Sequence, residues 1–204
     1  MRRIPLSRRS HIIGFQPLPT GTAEHESALE RDFVTLTSFL DPTASITSQP
    51  ITITFQDGFR TRRYTPDFLV RRDISPTELV EVKYRVDLRA NRNRLRPAFA
   101  AARAWAHEHA AVFRIATERG IRGARLNNAK RLLALRQAPL DSDITALVLD
   151  LVRAQSTPTF GGVLEALPLD RRVGLSILWS LIARHALQVD LSSPITHATQ
   201  LSLP

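Results

Sequence analysis

Apolar residues recur at Leu29, Phe33, Leu36 and Leu40, at spacings of four, three and four, which is one face of an amphipathic helix predicted over residues 24–40. Asp41-Pro42 ends it. Residues 1–20 carry Pro5, Pro17 and Pro19 and show no period, so they read as an irregular basic arm. After the helix the period drops to two. Strands are predicted at 46–49, 51–55 and 59–64, with Asp57-Gly58 as a hairpin turn, and at 66–71 and 78–84 around Ser75-Pro76. Together these strands predict a meander.

Asp87 opens a helix predicted through Leu95, and Pro97 sits in the first turn of another running to about residue 110. Residues 112–117 have the short apolar look of a buried strand. The order of helix, antiparallel strands, helix and strand is an α/β layer arrangement. Past Gly120 only helices are predicted, at 123–137, 143–153, 159–167 and 170–184. The tail segments 187–191 and 199–203, around Ser192-Ser193-Pro194, would then pair as a two-stranded wing, which is the winged-helix order.

Composition narrows the class. At 204 residues, 43% apolar and 23% charged, the chain has the balance of a folding globular protein. It has no cysteine, so thiolate metal sites, disulfides and a thiol nucleophile are excluded. No apolar run reaches the ~18–20 residues that span a bilayer, and no apolar stretch follows Arg2, Arg3, Arg8 and Arg9 as a signal peptide would require; a cytoplasmic protein is expected.

The net charge of +9 is uneven. Residues 85–136 hold 13 basic and 3 acidic side chains, residues 1–84 hold 11 and 10, and residues 137–204 hold 4 and 6. A surplus concentrated in one segment fits a phosphate-lined partner, and Arg85, Arg89, Arg92, Arg94, Arg96 and Arg103 are the candidate DNA contacts. The plainer alternative is a solvated arginine-rich helix.

Arginine outnumbers lysine 26 to 2, which singles out Lys83. On the strand predicted at 78–84, Leu79, Glu81 and Lys83 share one face and Val80, Val82 and Tyr84 the other. Asp67 begins the preceding strand. If the two strands pair as a hairpin, two carboxylates and a lysine share one pocket. Hard oxygen donors of that kind hold Mg²⁺ for phosphodiester hydrolysis, and a lysine can orient the attacking water or neutralise developing charge. Taken alone, E-x-K on a strand is a solvated face with a weak surface ion pair. Ser27 to Glu30 fits a capping box, in which the glutamate satisfies a free donor at the helix start. The six histidines are scattered and predict no imidazole metal site.

Taken in order, Glu26-Ser27-Ala28-Leu29-Glu30-Arg31-Asp32-Phe33, Phe39-Leu40-Asp41-Pro42, Gln49-Pro50, Tyr64-Thr65-Pro66-Asp67-Phe68-Leu69-Val70 and Glu81-Val82-Lys83 resemble the TnsA family of transposon-end endonucleases. That family lies within the PD-(D/E)xK, restriction-endonuclease-like class. The resemblance implies a mixed sheet flanked by helices over residues 1–120 and a small winged-helix-like α domain over 121–204. It places the family's first-helix glutamate on Glu30, its metal-binding aspartate on Asp67 and its catalytic lysine on Lys83. Glu81 falls on the variable acidic position. Asp67 and Glu81 with the Val82 carbonyl would then hold Mg²⁺, with Mn²⁺ as a substitute, and Glu30 would add a ligand or orient a water. The family cuts double-stranded DNA at the 5′ ends of a transposon, beside a DDE-type transposase and an AAA+ ATPase regulator. Two other readings stay open from the sequence: a nuclease of the same class with a role in restriction, junction resolution or phage DNA processing, and a winged-helix DNA-binding regulator without catalysis.

Overall fold

The computed structural model describes residues 14–18 and 21–204, which form two compact units divided after Arg122. The basic arm's Arg2, Arg3, Arg8 and Arg9 lie outside the described residues. No helix among the described residues is long and apolar enough to cross a membrane.

The first unit runs β1 (Gly14–Leu18), β2 (Gly21–His25), α1 (Ala28–Leu40), β3 (Ser45–Ser48), β4 (Ile53–Asp57), β5 (Arg60–Tyr64), β6 (Phe68–Arg71) and β7 (Thr77–Val82). It continues through α2 (Arg85–Ala90), α3 (Arg92–Glu108), β8 (Ala111–Ala116) and α4 (Glu118–Ile121). The central sheet has the order β3-β6-β7-β8, antiparallel except for the parallel pair β7 and β8. Joining parallel neighbours needs a long crossover, and α2 with α3 supplies it. The unit is a mixed α/β fold of the restriction-endonuclease-like kind, as the resemblance implies.

Both faces of the sheet are covered. Phe68, Val70, Val80 and Val82 pack on Leu29, Phe33 and Val34 of α1, with the Phe33 and Phe68 rings stacked at 5.4 Å. Leu69 and Leu79 point the other way, onto Ala102 and Ala106 of α3 and Ile53 of β4. Arg122 clamps α4 to α1 by donating to the buried Asp32 carboxylate at 3.0 Å, with its guanidinium over the Tyr84 ring.

Several expectations are corrected. The arm is not irregular over 14–18, where β1 pairs with β2 from Gly14 opposite His25 to Leu18 opposite Gly21. Its apolar alternation is inverted: Phe15 faces out, while Gln16 faces in and accepts from the Thr35 hydroxyl at 3.1 Å. Glu24 and His25 consequently belong to a strand, and α1 starts later, capped by the Ser27 hydroxyl. The meander does not form either. β4 and β5 make a ribbon of their own, while β3 pairs directly with β6. Tyr84, not Asp87, caps α2, and Pro97 lies inside α3 instead of opening a helix.

The second unit holds α5 (Ala124–Leu133), α6 (Ser142–Ala154), α7 (Phe160–Ala166) and α8 (Arg171–Ala183). Asp141, Thr159 and Asp170 cap the last three with their side-chain oxygens. Leu132, Phe160, Leu178 and Leu181 are buried at its centre. The predicted wing reduces to two isolated antiparallel bridges, Gln188 with Ser202 and Thr159 with Gln200. The tail divides its hydrogen bonds between two partners, since Ser202 exchanges bonds with Gln188 while Leu201 donates to the Pro158 carbonyl. Buried Asn128 donates to the carbonyls of Leu191 and Ser193, holding the turn that precedes the tail.

Phe68 is fully buried between the sheet and α1. Phe68→Ala removes a whole ring there and is expected to cost about 3–5 kcal/mol, read as an earlier urea transition of the first unit.

Candidate active site

The β6–β7 register pairs Phe68 with Val80, so one step further along Asp67 stands opposite Glu81. Pro66 precedes it and keeps Thr65 extended, which brings the chain straight into β6. The Val82 N–H donates to Asp67 Oδ2 at 2.6 Å, so a side chain takes over where the backbone ladder ends. On the other side, the Gln49 N–H donates to the Asp67 carbonyl at 2.8 Å. Gln49 adopts φ 45°, a left-handed conformation uncommon for a residue other than glycine. Asp67 is thus held through both its backbone and its carboxylate.

Glu81 sits on the face of β7 that α3 and β4 cover, and it is only 3% exposed. Its Oε2 accepts the Tyr64 hydroxyl at 2.6 Å, and its Oε1 pairs with Lys83 Nζ. Tyr64 comes from the end of β5, its ring edge-on to Phe99 of α3. Lys83 stays extended because its N–H donates to the Ala116 carbonyl at 3.0 Å, and its side chain keeps 29% exposure. The pair is not the exposed surface bridge of the plainer reading, because its carboxylate is buried and bonded twice.

Glu30 closes the capping box: its carboxylate accepts the Ser27 hydroxyl and the Glu26 N–H, both at 2.7 Å. It also lines, with Asp67, Gln49, Ser48 and His25, a cavity of about 550 Å³ beside the sheet edge. Glu81 and Lys83 lie outside that cavity's lining, so Asp67 is the residue shared between the cavity and the carboxylate–lysine pair.

The electrostatics reflect crowded negative charge. Burial pushes the Asp67 carboxyl well above the usual range, the Glu81 and Glu30 carboxylates push it further, and the Val82 N–H and Lys83 oppose them. Burial likewise raises Glu30. It works against the Lys83 ammonium, but Glu81, Asp67 and Glu30 outweigh it, and Lys83 holds its proton above the ordinary lysine value. Burial and Glu81 keep the Tyr64 hydroxyl protonated.

The donor set suits a hard divalent cation, because carboxylate oxygens are what Mg²⁺ takes and the crowded charge is what a cation relieves. Among the described residues no three carboxylate or imidazole groups gather closely enough to hold an ion alone. Mg²⁺ commonly binds one or two carboxylates and fills its shell with water and phosphate, a pattern that Asp67 and Glu81 match.

Arg85 and Arg89 on α2 and Arg92, Arg94, Arg96 and Arg103 on α3 are all exposed. Arg85 follows Lys83 by two residues, and its N–H donates to the Glu118 carboxylate at 2.9 Å. Arg89, Arg92 and Arg94 line a shallow recess at the α2–α3 junction. Arg103 lies over the Phe113 ring. Tyr64 and Gln49 were assigned no role by sequence reasoning. The signal available was their place within the Tyr64–Val70 and Gln49-Pro50 motifs.

In metal-free buffer, Asp67→Asn is expected to raise the thermal midpoint at about pH 8, because asparagine can still accept from Val82 and carries no charge. The folded carboxyl holds its proton more tightly than the unfolded one, so its ionisation lowers stability as pH rises. Near pH ~3 the aspartate is protonated in both states and the gain disappears, which melting curves at the two pH values check.

Residues 41–118 match the family model described as TnsA-like endonuclease N terminal. No curated protein matches the chain. The matched span contains Asp67, Glu81, Lys83 and the sheet that carries them. With that match and the mixed α/β fold around it, residues 41–118 are similar to the N-terminal domain of TnsA-like endonucleases.

Proposed function

We propose that the chain is the DNA endonuclease subunit of a heteromeric transposase, hydrolysing phosphodiester bonds at the 5′ ends of a transposon with Mg²⁺, for which Mn²⁺ substitutes. The observation that carries this reading is the meeting of Asp67, Glu81 and Lys83 at the end of two adjacent antiparallel strands. The match to a TnsA-like endonuclease domain supports it. Double-stranded DNA and a DDE-type transposase are the expected partners, with an AAA+ ATPase regulator in the same assembly and the second unit, 123–204, as the docking surface for protein.

Asp67 and Glu81, with the Val82 carbonyl, would hold the ion. When bound, Mg²⁺ would polarise the scissile phosphate and make its water more acidic. Asp67 is fixed for that task by the Val82 N–H, which leaves its orientation independent of the ion. The Tyr64 hydroxyl fixes Glu81 in the same way. Glu30, whose oxygens serve the cap, acts through its charge and by orienting a water. Lys83, fully protonated at neutral pH and partly exposed, donates to the incoming phosphate or to the attacking water. The exposed arginines of α2 and α3 hold the flanking backbone as point contacts without base reading.

Asp67→Ala and Lys83→Ala are each expected to lower Mg²⁺-dependent cleavage of a transposon-end duplex about 10³-fold or more. Circular dichroism reports whether the fold is kept, since Lys83→Ala also leaves a buried carboxylate short of a partner. Full cleavage by the double variant refutes the site.

A further inference from the structure

β4 and β5 form a two-stranded ribbon outside the central sheet. Register assigns its two faces. Ile53 pairs with Tyr64, Phe55 with Arg62 and Asp57 with Arg60, while Thr54 pairs with Arg63 and Gln56 with Thr61. The first face is the anchor. Ile53 and Tyr64 at its base pack on Leu69, Leu79 and α3, and further out Arg62 pairs with Asp57 at 2.7 Å.

The second face is uncovered among the described residues. Thr54, Gln56, Thr61 and Arg63 are all exposed, and Gln56 Nε2 donates to the Thr61 hydroxyl at 3.0 Å. The turn consists of Gly58, at φ 63°, and Phe59, whose ring is fully exposed. A two-stranded ribbon is marginal on its own, and a bare polar face ending in a solvated aromatic adds no packing to sustain it. Three arginines and one aspartate lie on the strands, so the ribbon is also basic.

We infer that this ribbon is a second duplex-DNA contact, which enters the major groove of the duplex cut at Asp67, Glu81 and Lys83; the assignment rests on the nuclease reading above. The major groove, ~12 Å wide, admits a two-stranded ribbon. Threonine and glutamine on the free face carry the donors and acceptors that base edges recognise, while Arg63 on that face and Arg60 beside the turn, on the other face, meet phosphates. Phe59 at the tip offers an apolar contact to bases. The ribbon's base also holds Tyr64, whose hydroxyl binds Glu81, so one short segment joins groove contact and cleavage site. These residues are separate from the arginines of α2 and α3, and they give the chain a means of distinguishing DNA sequences near the cut.

The test uses the full chain, a duplex substrate and fluorescence anisotropy in EDTA across about 50–300 mM salt. The double variant Arg60→Gln/Arg63→Gln is expected to lower the slope of log Kobs against log salt by about 2, one for each phosphate that is no longer neutralised. Phe59→Ser is expected to weaken binding several-fold with the slope unchanged. All three positions are exposed, so thermal midpoints are expected to stay in place. With Mg²⁺ present, the double variant is expected to lose kcat/KM mainly through KM. Unchanged slope and affinity overturn the ribbon contact even if the wild-type chain cleaves DNA, and the nuclease reading then stands. A wild-type chain that fails to bind the duplex also overturns it. A ribbon-dependent slope in a chain that never cuts supports the contact and sinks the nuclease reading instead.

Discussion

The bond from the Val82 N–H to the Asp67 carboxylate is the point on which the site turns. The β6–β7 ladder stops at the pair Phe68–Val80, and the next free donor on β7 is met by a side chain instead of a carbonyl. That bond sets Asp67 against Glu81 across the two strands. It also lets Asp67 keep its place among like charges that would otherwise drive it toward solvent. A charge-assisted bond of this kind contributes about 1.5–3 kcal/mol, which offsets only part of what burying a carboxylate near two others costs, and the Asp67 carboxyl stays raised above its usual range.

The surroundings are arranged to carry that cost. Glu81 is nearly inaccessible, but both of its oxygens are bonded, one to Tyr64 and one to Lys83. Glu30 is bonded within the cap that starts α1. Every carboxylate in the cluster therefore has a donor, yet burial and the neighbouring carboxylates still raise Asp67, and the same carboxylates raise Lys83 against its burial. Perturbed carboxylates of this kind cluster at functional sites. The parallel neighbour β8 completes the frame, because its Ala116 carbonyl takes the Lys83 N–H and keeps the chain extended past the last strand residue.

Much of this was legible in the chain. The E-x-K spacing on a strand, the aspartate opening the preceding strand, the capping box and the Asp-Gly hairpin all depend on neighbours within a few residues, and local sterics with period-two alternation determine them. The same alternation places Val80 and Val82 on the face of β7 that turns to α1. Other features were hidden for identifiable reasons. β1 escaped because Gln16 points inward, satisfied by Thr35, while Phe15 points out, which inverts the apolar signal. The ribbon looked like part of a meander because hairpin signals report pairing between neighbours and say nothing of which sheet they join. Pro97 suggested a helix start, whereas α3 begins five residues earlier and absorbs it.

By itself the amino-acid order determined that hard oxygen donors and one lysine would lie on adjoining strands, and that positive charge would gather just beyond them. Only the tertiary structure decided that the opposite face of β7 would be roofed by α3 and the β4–β5 ribbon, turning an ordinary surface ion pair into one with a buried carboxylate and a tyrosine on it. Spacing along a strand dictates which side chains share a face. Whether that face meets water or protein depends on segments distant in sequence, whose packing no local pattern encodes.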